Sequence, residues 1–286
     1  MTFFGAQLAI VQAPMANVQP PSLAAAVSNA GALGTIAAAA LSPDQTREAI
    51  REVRAATDGP FGVNVFAPPY LRDGVLDVVL AEKPAVLSFT FGIIDPEPLQ
   101  RAGIAVFGTA TTSDEAAALG AAGVDAIVAQ GAEAGGHRGT FRGSFEDGLV
   151  PLDELLQSIA ADVPVVAAGG IVDGDDVRRV RALGAAAVQV GTAFLFTREC
   201  GAPPEHLDAL RTYDTVVTPA YTGRHMRGAK TPVLEELMRE SELLPFPEQR
   251  GVSAKRGPVY MGGTAARRAR EQTAAELVAE LARGFD

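Results

Sequence analysis

Val163-Pro164-Val165-Val166-Ala167-Ala168-Gly169-Gly170-Ile171, then one helical pattern, then Ala186-Ala187-Val188-Gln189-Val190-Gly191-Thr192-Ala193-Phe194: these residues decide the fold. Each run is short, apolar and ended by glycine, as a buried parallel strand feeding a tight turn should be. Asp173 caps the helix between them, which extends through Leu183. Working outward, similar apolar runs lie at residues 8–12, 32–36, 61–65, 85–89, 103–108 and 124–129. Helix starts fall between them at Pro21, Ser42-Pro43-Asp44, Val75, Asp95-Pro96, Ser113-Asp114-Glu115 and Pro151. Eight strands, each followed by a helical pattern, predict an α/β fold of the (β/α)8 TIM-barrel type, with ligand-facing loops at the C-terminal strand ends. A doubly wound sheet is the alternative, but no Gly-x-Gly-x-x-Gly follows the first strand.

Beyond residue 200 the alternation breaks. Residues 203–260 mix short helical runs with Pro245, Pro247 and Pro258, and residues 264–284 read as one Ala- and Arg-rich helix. Residues 1–200 are therefore expected to form the barrel. Residues 201–286 are expected to form a C-terminal helical extension over its mouth, within the same domain.

The 286 residues suffice for one large core, and the absence of tryptophan with abundant Ala and Gly suits closely packed helices and tight turns. A net charge of −10, without a basic stripe, argues against nucleic acid as a partner. The single cysteine, Cys200, excludes an intramolecular disulfide, and no Cys/His cluster suggests a metal. The first residues lack a signal-peptide pattern and no apolar run reaches membrane-spanning length, so a soluble cytoplasmic protein without a membrane partner is expected. A homo-oligomer is compatible with all of this.

The candidate chemistry sits in Ala129-Gln130-Gly131-Ala132-Glu133-Ala134-Gly135-Gly136-His137-Arg138-Gly139, which continues the sixth strand into the longest loop of this part of the chain. Gly135 and Gly136 let backbone approach a ligand, and His137 titrates nearest neutral pH. An isolated Gly-Gly-His would equally suit a loop whose histidine bonds a carbonyl. Gly169-Gly170 and Gly191-Thr192 end the last two strands, where barrels often bind phosphate, although both turns could simply allow close helix packing. Asn64 and Gln130 add amides at other strand ends, so the mouth suits a heterocycle with a phosphate tail, of which flavin mononucleotide (FMN) is the simplest. Among the remaining groups, Arg138 reads as solvated, Glu133 as closing its own loop, His206 as a surface helix residue, His225 as solvent-facing and Cys200 as a small buried filler. Tyr221 and Tyr260 fit either a pocket wall or ordinary packing.

Gln12-Ala13-Pro14-Met15-Ala16, Gly62-Val63-Asn64, Glu133 to Gly139, Ala167 to Ile171, Gln189 to Thr192 and Tyr221-Thr222-Gly223-Arg224 together resemble the motifs of nitronate monooxygenases, formerly called 2-nitropropane dioxygenases. The resemblance implies a flavin-binding barrel oxidising alkyl nitronates or nitroalkanes with O2 to a carbonyl compound and nitrite. It implies FMN contacts from Asn64, Gln130 and Gly135 with neighbouring Gly136. It implies a phosphate side made by Gly169, Gly170, Gln189, Val190, Gly191 and Thr192, and a flavin ring lying against Ala13, Pro14 and Met15. His137 would be the catalytic histidine, acting as base on a nitroalkane or steadying the charge of a nitronate. Thr231 departs from the pattern, standing where asparagine is expected, and Val259 to Gly263 matches only loosely. A related reading is an FMN- and NAD(P)H-dependent enoyl-thioester reductase, which shares the Ala-Gly-Gly turns. Another is a flavin-binding barrel without turnover.

Overall fold

The computed structural model describes residues 2–286. Eight parallel strands form one sheet: β1 (Ile10–Gln12), β2 (Gly34–Ala37), β3 (Phe61–Phe66), β4 (Val86–Thr90), β5 (Ala105–Ala110), β6 (Ala126–Gln130), β8 (Val165–Ala168) and β9 (Ala187–Val190). The order β1-β9-β8-β6-β5-β4-β3-β2 is closed by a parallel bridge between Val11 and Leu33, with the Leu33 amide donating to the Ile10 carbonyl at 2.8 Å. The expected barrel is therefore present, with strand ends shifted by at most two residues from the apolar runs.

Alternation along each strand divides the core. Val11, Phe107, Val128, Val166 and Ala187 fill the barrel interior, joined from below by Phe3 and Phe4, whose rings stack edge to face near Phe107. The opposite strand faces, such as Ile10, Val63, Leu87, Ile127 and Val188, bury against the surrounding helices. Those helices are α1 (Pro21–Asn29), α2 (Pro43–Ala56), α3 (Val75–Glu82), α4 (Glu97–Arg101), α5 (Ser113–Ala122), α6 (Leu152–Ser158) and α7 (Gly174–Ala182). Their starts follow local chemistry. Ser42 and Gln45 make a capping box, while Thr112 and Asp173 accept from the third helical amide. Pro151 proves to be the cap itself, with the helix beginning at Leu152.

The chain after β9 does two separate things. Short α8 (Thr192–Leu195) and α9 (Pro204–Thr212) lead to β10 (Thr215–Thr218) and β11 (Met226–Ala229), then α10 (Pro232–Leu237) and α11 (Glu248–Ser253). β10 and β11 form a small antiparallel sheet whose third strand is β7 (Gly136–His137), inside the glycine-rich loop after β6. This part of the extension sits at the C-terminal ends of the barrel strands. The long helix expected over residues 264–284 is instead a 3-10 turn at Ala266–Arg268 and α12 (Ala274–Ala282). Residues 262–263 are held against other backbone, and helix can begin only where the Thr273–Glu276 capping box supplies a start. α12 packs against α1, α7 and α8 and so takes the eighth place in the outer helical layer. Its buried Leu277 and Leu281 are each worth about 1.5–3 kcal/mol of apolar burial.

Candidate active site

Local backbone chemistry draws the ends of β1, β6, β8 and β9 into contact. Gly169 and Gly170 have φ of +117° and +70°, a left-handed region in which a side chain would be strained. A Cβ on Gly169 would also lie 2.9 Å from the Ala134 amide nitrogen. Gly135 is tighter still, since a Cβ there would meet the Gly263 nitrogen at 2.5 Å and the Gly262 carbonyl carbon at 2.6 Å. The Gly263 amide donates to Thr192 Oγ1 at 2.9 Å, and Gly191 lies beside Ala13 and Met15. Thus Ala13, Met15, Gly135, Gly169, Gly170, Gly191 and Thr192, distant in sequence, line one rim. The Gly169, Gly170 and Gly191 amides find no acceptor within the described residues, and all three residues remain partly open.

Met15 is set in place from below. Gln12, fully buried, donates to Gln19 Oε1 at 2.8 Å and accepts from the Thr35 amide at 3.0 Å, and Gln19 Oε1 takes the Met15 amide at 2.6 Å. Gln189, half-buried, lies on the strand face that looks into the barrel, whereas Val190 points to the helices. Pro14 and Gly136 are likewise half-buried, and a Cβ on Gly136 would meet nothing within 4 Å. Asn64 is buried and donates to Ser88 Oγ at 3.0 Å across β3 and β4, leaving its Oδ1 without a partner among the described residues. Gln130 spans the loop, donating to the His137 carbonyl at 3.0 Å and accepting from the Gly139 amide at 2.8 Å.

His137 is held on β7 opposite Met226 of β11. Its Nε2 lies 3.1 Å from Thr222 Oγ1, and its ring is surrounded by Phe246, Phe91 and Phe66 at centroid distances of 5.4, 6.0 and 6.4 Å. Tyr70 packs edge-on against Phe246 at 5.0 Å. The Arg224 guanidinium lies 3.8 Å from the Phe91 ring centre and bonds the Thr140 carbonyl, and its buried Nε has no partner among the described residues. Burial pushes the His137 imidazole down to about 3, reinforced by the positive charges of Arg224 and Arg250, so the ring is neutral near pH 7. Phe91 itself has φ +78°, an uncommon state for a bulky residue, beneath that guanidinium.

Several polar residues stand differently from their sequence expectation. Arg138 is not solvated but 1% exposed, with its guanidinium donating to the Gly131, Gln130 and Gly148 carbonyls at 2.7, 2.8 and 3.0 Å. The glycine-rich loop folds around it because a buried guanidinium needs acceptors and the loop offers free carbonyls. Burial lowers its proton affinity to about 10, still charged at neutral pH. Glu133 accepts from the Leu152 amide at 3.0 Å, closing the loop where it runs into the next helix, as expected. His206 is buried and bonds the Met261 carbonyl at 2.8 Å because its helix carries it inward. His225 is half-buried, with its ring stacked on Phe145 at 3.3 Å. Tyr221 is buried among Met226, Leu234 and Leu237, and Tyr260 packs against His206, so both serve packing. Cys200 is buried, and its thiol is pushed up to about 11. Thr231, the departure from the expected asparagine, caps α10 by accepting from the Leu234 amide, a task either side chain performs.

The residues that enclose His137 were largely hidden in the sequence. Thr222 and Arg224 lay within the Tyr221–Arg224 motif without a role of their own. Phe66, Tyr70, Phe91 and Phe246 carried no local signal. Among the described residues no three His, Cys, Asp or Glu side chains are grouped to hold a metal, and no helix is long and apolar enough to cross a membrane.

A closed (β/α)8 barrel with a caged histidine and open glycine turns at its C-terminal face has the form of a barrel enzyme. The sequence model of the nitronate monooxygenase family matches residues 1–74 and 70–284, and the chain belongs to this family of oxidoreductases. A nitronate monooxygenase of Pseudomonas aeruginosa is 42% identical over 270 residues, covering 78% of this chain and 77% of the relative. One from Paraburkholderia phytofirmans is 38% identical over 99% of this chain and 93% of the relative. Among solved structures, nitroalkane oxidase from Streptomyces ansochromogenes superposes with a TM-score of 0.89 at 38% identity, covering 98% and 97% of the two chains. FabK from Thermotoga maritima gives 0.81 at 32% identity, covering 98% and 93%.

Proposed function

We propose that this protein is an FMN-dependent enzyme that oxidises alkyl nitronates, and nitroalkanes through them, with O2 to carbonyl compounds and nitrite. The observation that carries this reading is the neutral His137, caged by Phe66, Phe91 and Phe246 and flanked by Arg224, whose guanidinium meets a carbonyl and a ring face and, among the described residues, no carboxylate partner. An apolar cage with a positive edge suits a small anion that has an alkyl body.

The rim fits FMN. Unpartnered amides at Gly169, Gly170 and Gly191 suit a phosphate, and the open space over Gly136 leaves room for a planar ring. Gly169, Gly170, Gln189, Val190, Gly191 and Thr192 would hold the phosphate side. Asn64, Gln130, Gly135 and Gly136 would meet the ring's polar edge, and Ala13, Pro14 and Met15 would lie against its face. When bound, the flavin supplies the electron acceptor and the route to O2.

The chain's own contribution is proton handling and charge. With a nitroalkane, neutral His137 takes the proton from the carbon beside the nitro group. Arg224 and Arg250, which disfavour an imidazolium in the free site, favour the negative charge that the substrate gains. With a preformed nitronate no proton need move, and His137 serves to orient the anion. The aromatic rings limit water around it.

The test is the purified protein's visible spectrum with nitrite release. Flavin absorbance, with nitrite formed from an alkyl nitronate in air and without NADH or NADPH, is the expected result. His137→Asn should then slow nitroethane turnover about 100-fold and preformed ethyl nitronate far less. Flavin that ignores nitronate but is bleached by NADH or NADPH would favour an enoyl-thioester reductase, the reading that the FabK likeness supports. Flavin unchanged by both would leave a binding barrel without turnover.

A further inference from the structure

The buried hydroxyl of Thr222 makes three contacts. It donates to the Arg224 carbonyl at 2.8 Å, accepts from the Arg224 amide at 3.3 Å and lies 3.1 Å from His137 Nε2. Thr222 is 0% exposed, so water cannot substitute for any of them. A threonine hydroxyl has one proton and two lone pairs. If that proton pointed at Nε2, Thr222 Oγ1 and the Arg224 carbonyl oxygen would face each other at 2.8 Å as two acceptors with no hydrogen between them. No other donor reaches that carbonyl among the described residues. If the proton points at the carbonyl, all three contacts are satisfied, and Nε2 must be the donor.

The second ring nitrogen completes the argument. Nδ1 has no hydrogen-bond partner among the described residues, yet it is not among the buried polar atoms left unsatisfied, which are only Arg138 Nε and Arg224 Nε. It therefore keeps accessible surface, as the half-buried His137 ring allows. We infer that Thr222 is a positioning residue that locks His137 in the Nε2–H tautomer, so that Nδ1 is the atom presented to the substrate as base. In the proposed reaction the C–H bond beside the nitro group breaks and its electron pair passes into the nitro group to give the nitronate. The proton forms an N–H bond at Nδ1, while Nε2–H continues to donate to Thr222. The base role rests on the proposed function; the tautomer does not.

The test uses the purified holoprotein labelled with 15N-histidine, whose ring nitrogens report tautomer directly by two-bond proton–nitrogen correlation. Only three histidines are present. His206 is an internal standard, because its Nε2 faces the Met261 carbonyl and must carry the proton. The His137 signals are those lost in His137→Asn. Near pH 7 they should show the same Nε2–H pattern as His206. Thr222→Val, which keeps shape and removes the hydroxyl, should give mixed tautomers, and Thr222→Ser should restore one. In parallel, Thr222→Val should lower kcat with nitroethane about tenfold more than with preformed ethyl nitronate, with recovery in Thr222→Ser. An Nδ1–H pattern in the unmodified protein, or one that Thr222→Val leaves unchanged, overturns the inference, and the first of these needs no variant to fold. If the tautomer behaves as stated but His137→Asn turns nitroethane over normally, the tautomer assignment holds and the base role falls.

Discussion

Replacing Arg138 with methionine keeps the length of the side chain and removes its charge and donors. The guanidinium makes three hydrogen bonds to carbonyls at 2.7–3.0 Å, and bonds from a charged donor are worth about 2 kcal/mol each. Against that total of about 6 kcal/mol stands the cost of keeping a cation buried. The lowering of its proton affinity by burial, to about 10, corresponds to a cost of about 3 kcal/mol. The difference predicts that Arg138→Met destabilises the protein by about 3 kcal/mol. The loss should concentrate in the loop between β6 and α6, because that is where the carbonyls lie. Urea unfolding gives the global figure, and hydrogen exchange of amides in residues 131–149 gives its location. Arg138→Lys should recover part of the loss, since an ammonium can reach some but not all of the three acceptors. Equal urea midpoints for Arg138→Met and the unmodified protein, with unchanged exchange in the loop, would refute the reasoning.

Three further outcomes are expected. Because His137 is neutral in the fold with a proton affinity near 3, against 6.5 when unfolded, the unfolded chain binds the extra proton between those values. Stability is therefore complete above about pH 6.5 and declines as the pH falls toward 3, and His137→Asn should flatten that part of a urea-midpoint profile against pH. Gly135→Ala should push residues 262–263 away from Thr192, costing about 1–3 kcal/mol and weakening flavin retention on dialysis, because its Cβ would meet backbone at 2.5 Å. Glu115, fully buried, accepts from the Thr111 amide at 2.6 Å, the Thr111 hydroxyl at 2.8 Å, the Arg142 amide at 2.9 Å and the Phe141 amide. Glu115→Gln should cost about 2 kcal/mol and raise KM more than it lowers kcat, by loosening the Thr140 carbonyl that holds Arg224.

The barrel was legible in the sequence because its determinants are local. A parallel strand buried on both faces must be an unbroken apolar run, and a chain turning from such a strand into a helix needs glycine or a capping residue. Residues 163–171 and 186–194 carry both signals, and so did the six runs before them. The glycine turns and His137 were visible for the same reason, since they stand at predicted strand ends.

What surrounds His137 was not legible, because it depends on contacts with no local period. Strand β7 is two residues long, and only its pairing with Met226 and Arg227 makes it a strand. Thr222 meets the imidazole across 85 residues of chain, and Phe246 arrives from a proline-broken segment whose sequence suggests only irregular structure. Arg138 looked like a surface charge because arginine in a loop usually is one, and its burial follows from where the Gly131 and Gly148 carbonyls come to rest. α12 was legible as a helix, but its place in the barrel's outer layer depended on the apolar groove left between α1 and α7. The sequence by itself determined the barrel, its glycine turns and the histidine at its mouth, because hydrophobic period and turn chemistry act over a few residues. The tertiary structure alone decided which side chains enclose that histidine and which of its nitrogens is free, because hydrogen-bond partners and burial are set by segments that meet only after the chain has closed on itself.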